Sequence, residues 1–131
     1  MPETEVRFFQ EYNGRVPVLD WLSKLRDNNR RAYAKCVARI RRLADLGHEL
    51  RRPETDYLKD GLYELRIRSG RVHYRLLYFY HGRNISILVH AVEKEGRVPP
   101  AALEIAIRRK RQFEKDPKLH SLVQNIHDTE G

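Results

Sequence analysis

Residues 62–94 constrain the fold more than any other stretch, because they read as strand, turn, strand, turn, strand. In Leu62-Tyr63-Glu64-Leu65-Arg66-Ile67-Arg68, Tyr63, Leu65 and Ile67 fall on one side and Glu64, Arg66 and Arg68 on the other. That is the period-2 alternation of a half-buried strand. Ser69-Gly70 supplies a turn, Val72 to Tyr80 a second strand, and His81-Gly82 another turn. Asn84 to Glu93, with Ile85, Ile87, Leu88 and Val89, makes the third strand. Two tight hairpins in a row form an antiparallel meander.

The flanking segments supply helices. Val6 to Tyr12 is rich in strand formers and stops at the turn dipeptide Asn13-Gly14. Pro17 suits a first helical position, and Val18, Leu19, Leu22 and Leu25 recur at helical spacing up to Asn28-Asn29. A longer helix follows, capped by Asn29 or Asn28, with Tyr33, Val37, Ile40 and Ala44 on one face and Gly47 as its stop. Its other face carries Arg30, Arg31, Lys35, Arg39, Arg41 and Arg42, a charge run of the kind that is ordinarily a solvated face. After Pro99-Pro100 a last helix turns Leu103, Ala106, Ile107 and Phe113 inward before Asp116-Pro117. The predicted order is β-α-α-β-β-β-α over residues 1–117. This is a small α+β domain with helices packed on one face of an antiparallel sheet and the other face available. Residues 118–131 read as a polar tail that frays, although Leu119, Leu122, Val123 and Ile126 are spaced as a short docking helix would space them.

The chain has 131 residues, enough for one core that buries about two-thirds of the unfolded surface. Lys and Arg number 26 against 18 Asp and Glu, a net charge of +8. Residues 29–59 carry +5 and residues 60–97 carry +3, so these two stretches hold the whole excess. Arg outnumbers Lys 19 to 7, and a planar guanidinium suits phosphate forks and base stacking. Nucleic acid is the first partner to consider; the ordinary alternative is coding bias and a surface charged for solubility. The one cysteine, Cys36, excludes an internal disulfide framework and a multi-thiolate zinc site, and within a helix it reads as a small packing residue. No apolar run approaches the roughly 20 residues of a membrane span, and no signal-peptide core opens the chain, so a soluble cytoplasmic protein is expected. Phosphate-loop, GxGxxG, GxSxG and HExxH patterns are absent, and the six His never pair at i, i+4. No metal and no cofactor are expected.

Three linked motifs carry more information: Leu58-Lys59-Asp60-Gly61-Leu62-Tyr63-Glu64-Leu65-Arg66, then Tyr74-Arg75-Leu76-Leu77-Tyr78, then His90-Ala91-Val92-Glu93-Lys94. Here the sequence resembles the RelE/HigB-type toxins of type II toxin–antitoxin modules, in particular their phage-like Gp49/HigB branch. The resemblance covers about residues 6 to 115. It implies a RelE-like fold and a small basic ribonuclease that acts without a metal, most such proteins cutting mRNA in the ribosomal A site. It also implies a cognate antitoxin, often of the helix-turn-helix type, and no membrane association. By the same resemblance Arg75 is the arginine of the Y-R-x-x-Y motif that contacts the scissile phosphate, Arg66 a second basic strand residue, and His90 and Lys94 the ends of the last motif.

The residue chemistry can be weighed beside this. Cutting RNA through its own 2′-hydroxyl needs a group to take the 2′ proton, cations for the crowded phosphate oxygens and a donor for the leaving 5′ oxygen. Arg75, Arg66, His90 and Lys94 are the catalytic candidates, and Lys59, Arg68, Arg71, His73, Arg97 and Tyr74 the RNA-binding ones. Antiparallel pairing about Ser69-Gly70 sets Arg66 opposite residues 73–75. The competing reading for Arg66 is an ion pair with Glu64 or another neighbour. His90 and His73 are the groups expected to titrate near neutrality, at about 6.5 when unperturbed. Parity puts His90 on one side with Ser86, Leu88 and Lys94. Tyr74 and Tyr78 share a face with Leu76, which favours packing for at least one of them. Two departures stand out: Glu95 follows Lys94 where many members have a second cation, and residues 98–107 contain no Tyr. They keep two alternatives open. One is a non-catalytic basic RNA- or ribosome-binding module neutralised by an antitoxin; the other is an interaction protein whose groove receives an acidic antitoxin segment.

Overall fold

The structure is a computed structural model that describes residues 3–93 and 96–123. Its elements are β1 (Glu5–Phe9), α1 (Pro17–Asn28), α2 (Arg30–Leu46), a 3-10 turn (Gly47–Glu49), β2 (Thr55–Lys59), β3 (Leu62–Ser69), β4 (Val72–His81), β5 (Ile85–Glu93), α3 (Pro100–Lys115) and β6 (Ser121–Val123). The meander is present as read, with Ser69 opposite Val72 at one turn and His81 opposite Ile85 at the other. Two strands were not anticipated. β2 pairs with β3 across Asp60-Gly61, whose φ angles of 53° and 81° are those of a two-residue hairpin turn. β6 pairs with β1.

The six strands lie in the order β2-β3-β4-β5-β1-β6. All neighbours are antiparallel except β1 and β5, which run parallel from Glu5 beside Ile85 to Phe8 beside Leu88. The sheet is therefore mostly, not wholly, antiparallel. No hairpin turn ties β1 to a neighbour, so burial of Phe8 and Phe9 sets its slot. These adjacent rings enter different apolar clusters.

The fold class is α+β, and the α1–α2 pair packs on one face of the sheet as expected. There Val18, Leu22, Val37 and Ile40 meet Leu65, Ile67, Leu76, Tyr78 and Leu88. Pro17 opens α1. Asn29 ends α1 through its own N–H and caps α2, its side chain accepting from Ala32 N at 3.0 Å. The last helix, α3, gathers side chains of the alternate parity: Phe9, Leu62, Leu77, Phe79, Ile87 and Val89 close around Ala102, Ala106 and Phe113. The face expected to be available is thus partly covered, and what stays open lies beside the polar stretches of β2, β3 and β4.

The cationic face of α2 is not simply solvated. Lys35 Nζ donates to the Arg68 carbonyl at 3.4 Å, Arg39 donates to the Arg66 carbonyl, and Arg42 forks onto Glu54 at 3.1 and 3.0 Å. These contacts cover the end of β3 that extends past its ladder with β2, where strand edges need protection. At the other edge the tail differs from expectation. His120 is fully buried, stacked on Phe9 at 5.2 Å and bonded through Nδ1 to the Gln10 carbonyl at 2.7 Å. Residues 121–123 then add a strand where helical spacing had been read, because β1 offers an unpaired edge that a segment just past Asp116-Pro117 can reach. Residues 124–131, including Ile126, lie outside the described residues. No helix among the described residues is long and apolar enough to cross a membrane.

Candidate functional site

Arg66 and Arg75 stand directly opposite each other in the β3–β4 ladder, as the turn at Ser69-Gly70 predicted. Both point away from the α1–α2 core, on the side of Leu62 and Leu77. Between them lies Glu64, only 3% exposed. Its Oε2 accepts from Arg66 Nε at 2.7 Å, and its Oε1 is 3.3 Å from Arg75 Nε. A carboxylate this buried is tolerated only with such partners. Arg66 Nη2 also reaches Asp56 Oδ2 at 3.2 Å, and Asp56 is forked by Arg52 at 2.9 and 3.1 Å. The hydrogen bond from Arg52 and the nearby guanidinium charges lower the Asp56 pKa below the usual carboxylate range. The ion-pair reading of Arg66 is therefore what the geometry shows, with Glu64 and Asp56 both as partners.

The two guanidiniums are not equivalent. The Arg66 side chain is 40% exposed, that of Arg75 only 13%. Arg75 Nη1 donates to the Gly96 carbonyl, while its buried Nε makes no hydrogen bond and is held to Glu64 by charge alone. Both line an open cleft of about 590 Å3. Its wall also includes Lys59, His73, Arg97 and, from α3, Leu103.

Of the nominated residues, the cleft brings together Arg75, Arg66, Lys59, His73 and Arg97. Others lie elsewhere. Tyr74, named as an RNA contact, is buried on the opposite face with its ring edge-on to Trp21 at 5.9 Å. Its neighbours His73 and Arg75 face the cleft, and strand parity turns Tyr74 the other way, into the helix-covered core with Leu76. Arg68 turns back to the Gly70 carbonyl at 3.1 Å and lines a separate groove beside α2, and Arg71 sits exposed in the hairpin turn. Lys94 and Glu95 lie outside the described residues.

His90 also departs from expectation. The β4–β5 register shifts between Leu77 and Tyr78, so that His90 faces Leu77 while Leu88 faces Tyr78. A bulge of this kind adds a residue and resets parity. His90 therefore shares the side of Leu77, not that of Leu88, and it does not line the cleft. Its Nδ1 is 3.1 Å from Arg109 Nη1, which also donates to the Val89 carbonyl at 2.7 Å. Burial first, and the Arg109 charge second, push its pKa down to about 4. Titration near neutrality is thus not a property of His90 here.

Three contacts escaped the sequence reading: that of Asp56 with Arg66, that of Glu64 with Arg75, and that of Arg109 with His90. Asp60-Gly61 was the available signal for Asp56, since a hairpin turn there makes residues 55–59 a strand beside β3. Nothing in the spacing pointed to Arg109, whose contact depends on how α3 crosses β5. Cys36 is buried, and desolvation raises its thiol pKa to about 12, in keeping with a packing residue.

The cleft thus presents paired guanidiniums, a lysine, a third arginine and an imidazole, the donor types that fork onto phosphate oxygens. The chain belongs to the family described as phage derived protein Gp49-like (DUF891), whose pattern matches residues 20–111. That is a RelE/HigB-like toxin family, related to toxins that are endoribonucleases. No curated protein matches the chain.

Proposed function

We propose that this protein is the toxin of a type II toxin–antitoxin module, an endoribonuclease that cuts mRNA, in the ribosomal A site, and is held inactive by a cognate antitoxin of the helix-turn-helix kind. The observation that carries this reading is the Arg66–Glu64–Arg75 arrangement at the floor of an open cationic cleft. In the reaction, the 2′-oxygen attacks the adjacent phosphorus and the bond to the 5′-oxygen breaks. The products are a 2′,3′-cyclic phosphate and a 5′-hydroxyl, so one proton leaves the 2′-hydroxyl and one arrives at the 5′-oxygen. Arg75, fixed by Glu64 and Gly96, offers charge to the phosphate oxygens as they become more negative. Arg66, more exposed, swings between Glu64, Asp56 and the incoming phosphate. His73 is the cleft imidazole available for proton transfer, and Lys59 and Arg97 bind flanking phosphates. Neither metal nor cofactor is invoked in this scheme.

Primer extension on a reporter mRNA in a bacterial translation extract, repeated on the same naked RNA, tests the proposal. Cuts on translated message only, absent with Arg75→Ala, support the ribosome-dependent nuclease. Salt-sensitive RNA binding without cuts, from folded protein, identifies a binding module instead. Co-purification with a small helix-turn-helix protein encoded beside the gene tests the partner.

A further inference from the structure

Both α2 and α3 carry a row of cations, and the two rows are used differently. On α2, Lys35, Arg39 and Arg42 are spent on β3 carbonyls and on Glu54. On α3, Arg108, Arg111 and Lys115 line an open groove of about 540 Å3. Among the described residues, no ion pair or side-chain hydrogen bond holds any of these three. Their i, i+3, i+7 spacing puts them on one helix face over about 10 Å of axis. The opposite wall is the β2–β3 turn, where Lys59 and Asp60 lie. The turn comes close to α3: a Cβ on Gly61 would stand 3.3 Å from Lys110 Cε. Lys59 lines both this groove and the arginine cleft, so the two are neighbours with that side chain between them. The acids facing the groove are Asp60, 4.0 Å from Lys59, and Glu104, which leaves the cations in excess.

We infer that this groove carries the RNA backbone beyond the reacting nucleotides, a single-stranded ribose-phosphate segment running from the cleft past Lys59 and along Arg108, Arg111 and Lys115. The inference rests on reading the cleft as an RNA site. A protein partner would need an apolar anchor at the centre of its contact, and Ile107 is the one large aliphatic side chain in the groove wall. A repeating polyanion needs no anchor, only spaced cations without partners of their own.

Fluorescence anisotropy with two labelled single-stranded RNAs tests it, one just filling the cleft and one about a dozen nucleotides longer. With the intact chain, the longer RNA binds more tightly and with a steeper salt dependence. In Arg108→Gln/Arg111→Gln/Lys115→Gln the log–log salt slope for the longer RNA becomes shallower by about 2, at about 0.7 per phosphate contact. Binding of the short RNA stays as it was. Arg30→Gln/Arg31→Gln, on the far helix, is the control for bulk charge and changes the slope much less. A thermal melt of each variant confirms that it is folded. Equal affinity of the intact chain for both lengths, or equal effects of the α2 and α3 variants, overturns the groove. So does displacement of an acidic peptide by the α3 changes with the longer RNA unaffected. If the short RNA binds and Arg75→Ala abolishes its binding, the cleft reading survives a failure of the groove; if neither RNA binds the intact chain, both fall.

Discussion

Arg66 and Arg75 face each other across one rung of the β3–β4 ladder and share a single carboxylate, that of Glu64. Two like charges opposite each other in a sheet repel, so the buried anion is what makes the rung stable. The same anion fixes where both guanidiniums stand.

Glu64→Gln separates those two effects. Gln accepts from one guanidinium and turns a donor nitrogen toward the other, leaving Arg75 without the one anion paired with it among the described residues. Cleavage falls about a hundredfold, the scale on which one misplaced oxyanion donor is felt. RNA binding stays level or tightens, because the cleft gains a net positive charge. Stability drops by about 1–3 kcal/mol as the buried network loses a partner. Single-turnover cleavage, anisotropy and a urea melt on the same preparation read the three changes.

Arg75→Lys tests whether charge or geometry matters at the less exposed position. An ammonium keeps the charge but cannot reach Glu64 and the Gly96 carbonyl with one planar fork. Cleavage falls about tenfold or more, and growth arrest on expression is relieved. Arg66→Lys, at a side chain 40% exposed, has the smaller effect. The reverse ranking in a growth assay would move the phosphate contact to Arg66.

Stability is expected to depend on pH through His90. Its folded pKa lies at about 4 against an unfolded value near 6.5. Between those values the unfolded chain binds a proton that the folded chain refuses. The contribution is therefore complete above about pH 6.5, declines as pH falls and is gone below about 4. Partial exposure limits it to about 1–2 kcal/mol. Urea melts across this window, compared with His90→Gln, measure it: the variant has the flatter profile. The rate of cleavage shows no step near neutrality that this substitution removes.

Cys36 is fully buried, with its thiol pKa at about 12. A thiol reagent therefore labels nothing in native buffer at neutral pH and one equivalent in denaturant. Labelling of the native chain proceeds only at the rate of opening. Rapid labelling without denaturant would show that α2 moves away from the sheet.

The sequence revealed those elements whose apolar spacing repeats for several residues. β3 alternates over residues 62–68, β4 and β5 are apolar runs marked off by Gly70 and Gly82, and α1 to α3 show helical stripes bounded by Pro17, Asn29, Gly47 and Pro100. β2 was hidden because Thr55-Asp56 carries polar side chains for the cleft and for Tyr78, whose hydroxyl lies 2.7 Å from Thr55 Oγ1. β6 has three residues and relies on buried His120, a side chain that no apolar count includes. In the site, the two arginines were legible because a hairpin turn fixes register. The placement of His90 was not, because one bulge residue reverses parity without leaving a mark in the sequence.

The parallel pairing of β1 with β5 bears on how the nascent chain acquires its shape. β1 leaves the ribosome first, yet its neighbours arrive about 80 residues later with Ile85–Glu93 and at the far end with Ser121–Val123. At synthesis rates of about 5–20 residues per second that is a wait of several seconds. The arginine hairpin, by contrast, closes from adjacent residues as soon as it emerges. Phe8 and Phe9 must be sheltered by α1 and α2 in the interval, or else remain open to chaperones. Sheet closure is therefore an event of late translation, governed by contacts distant along the chain and not by the arginine hairpin.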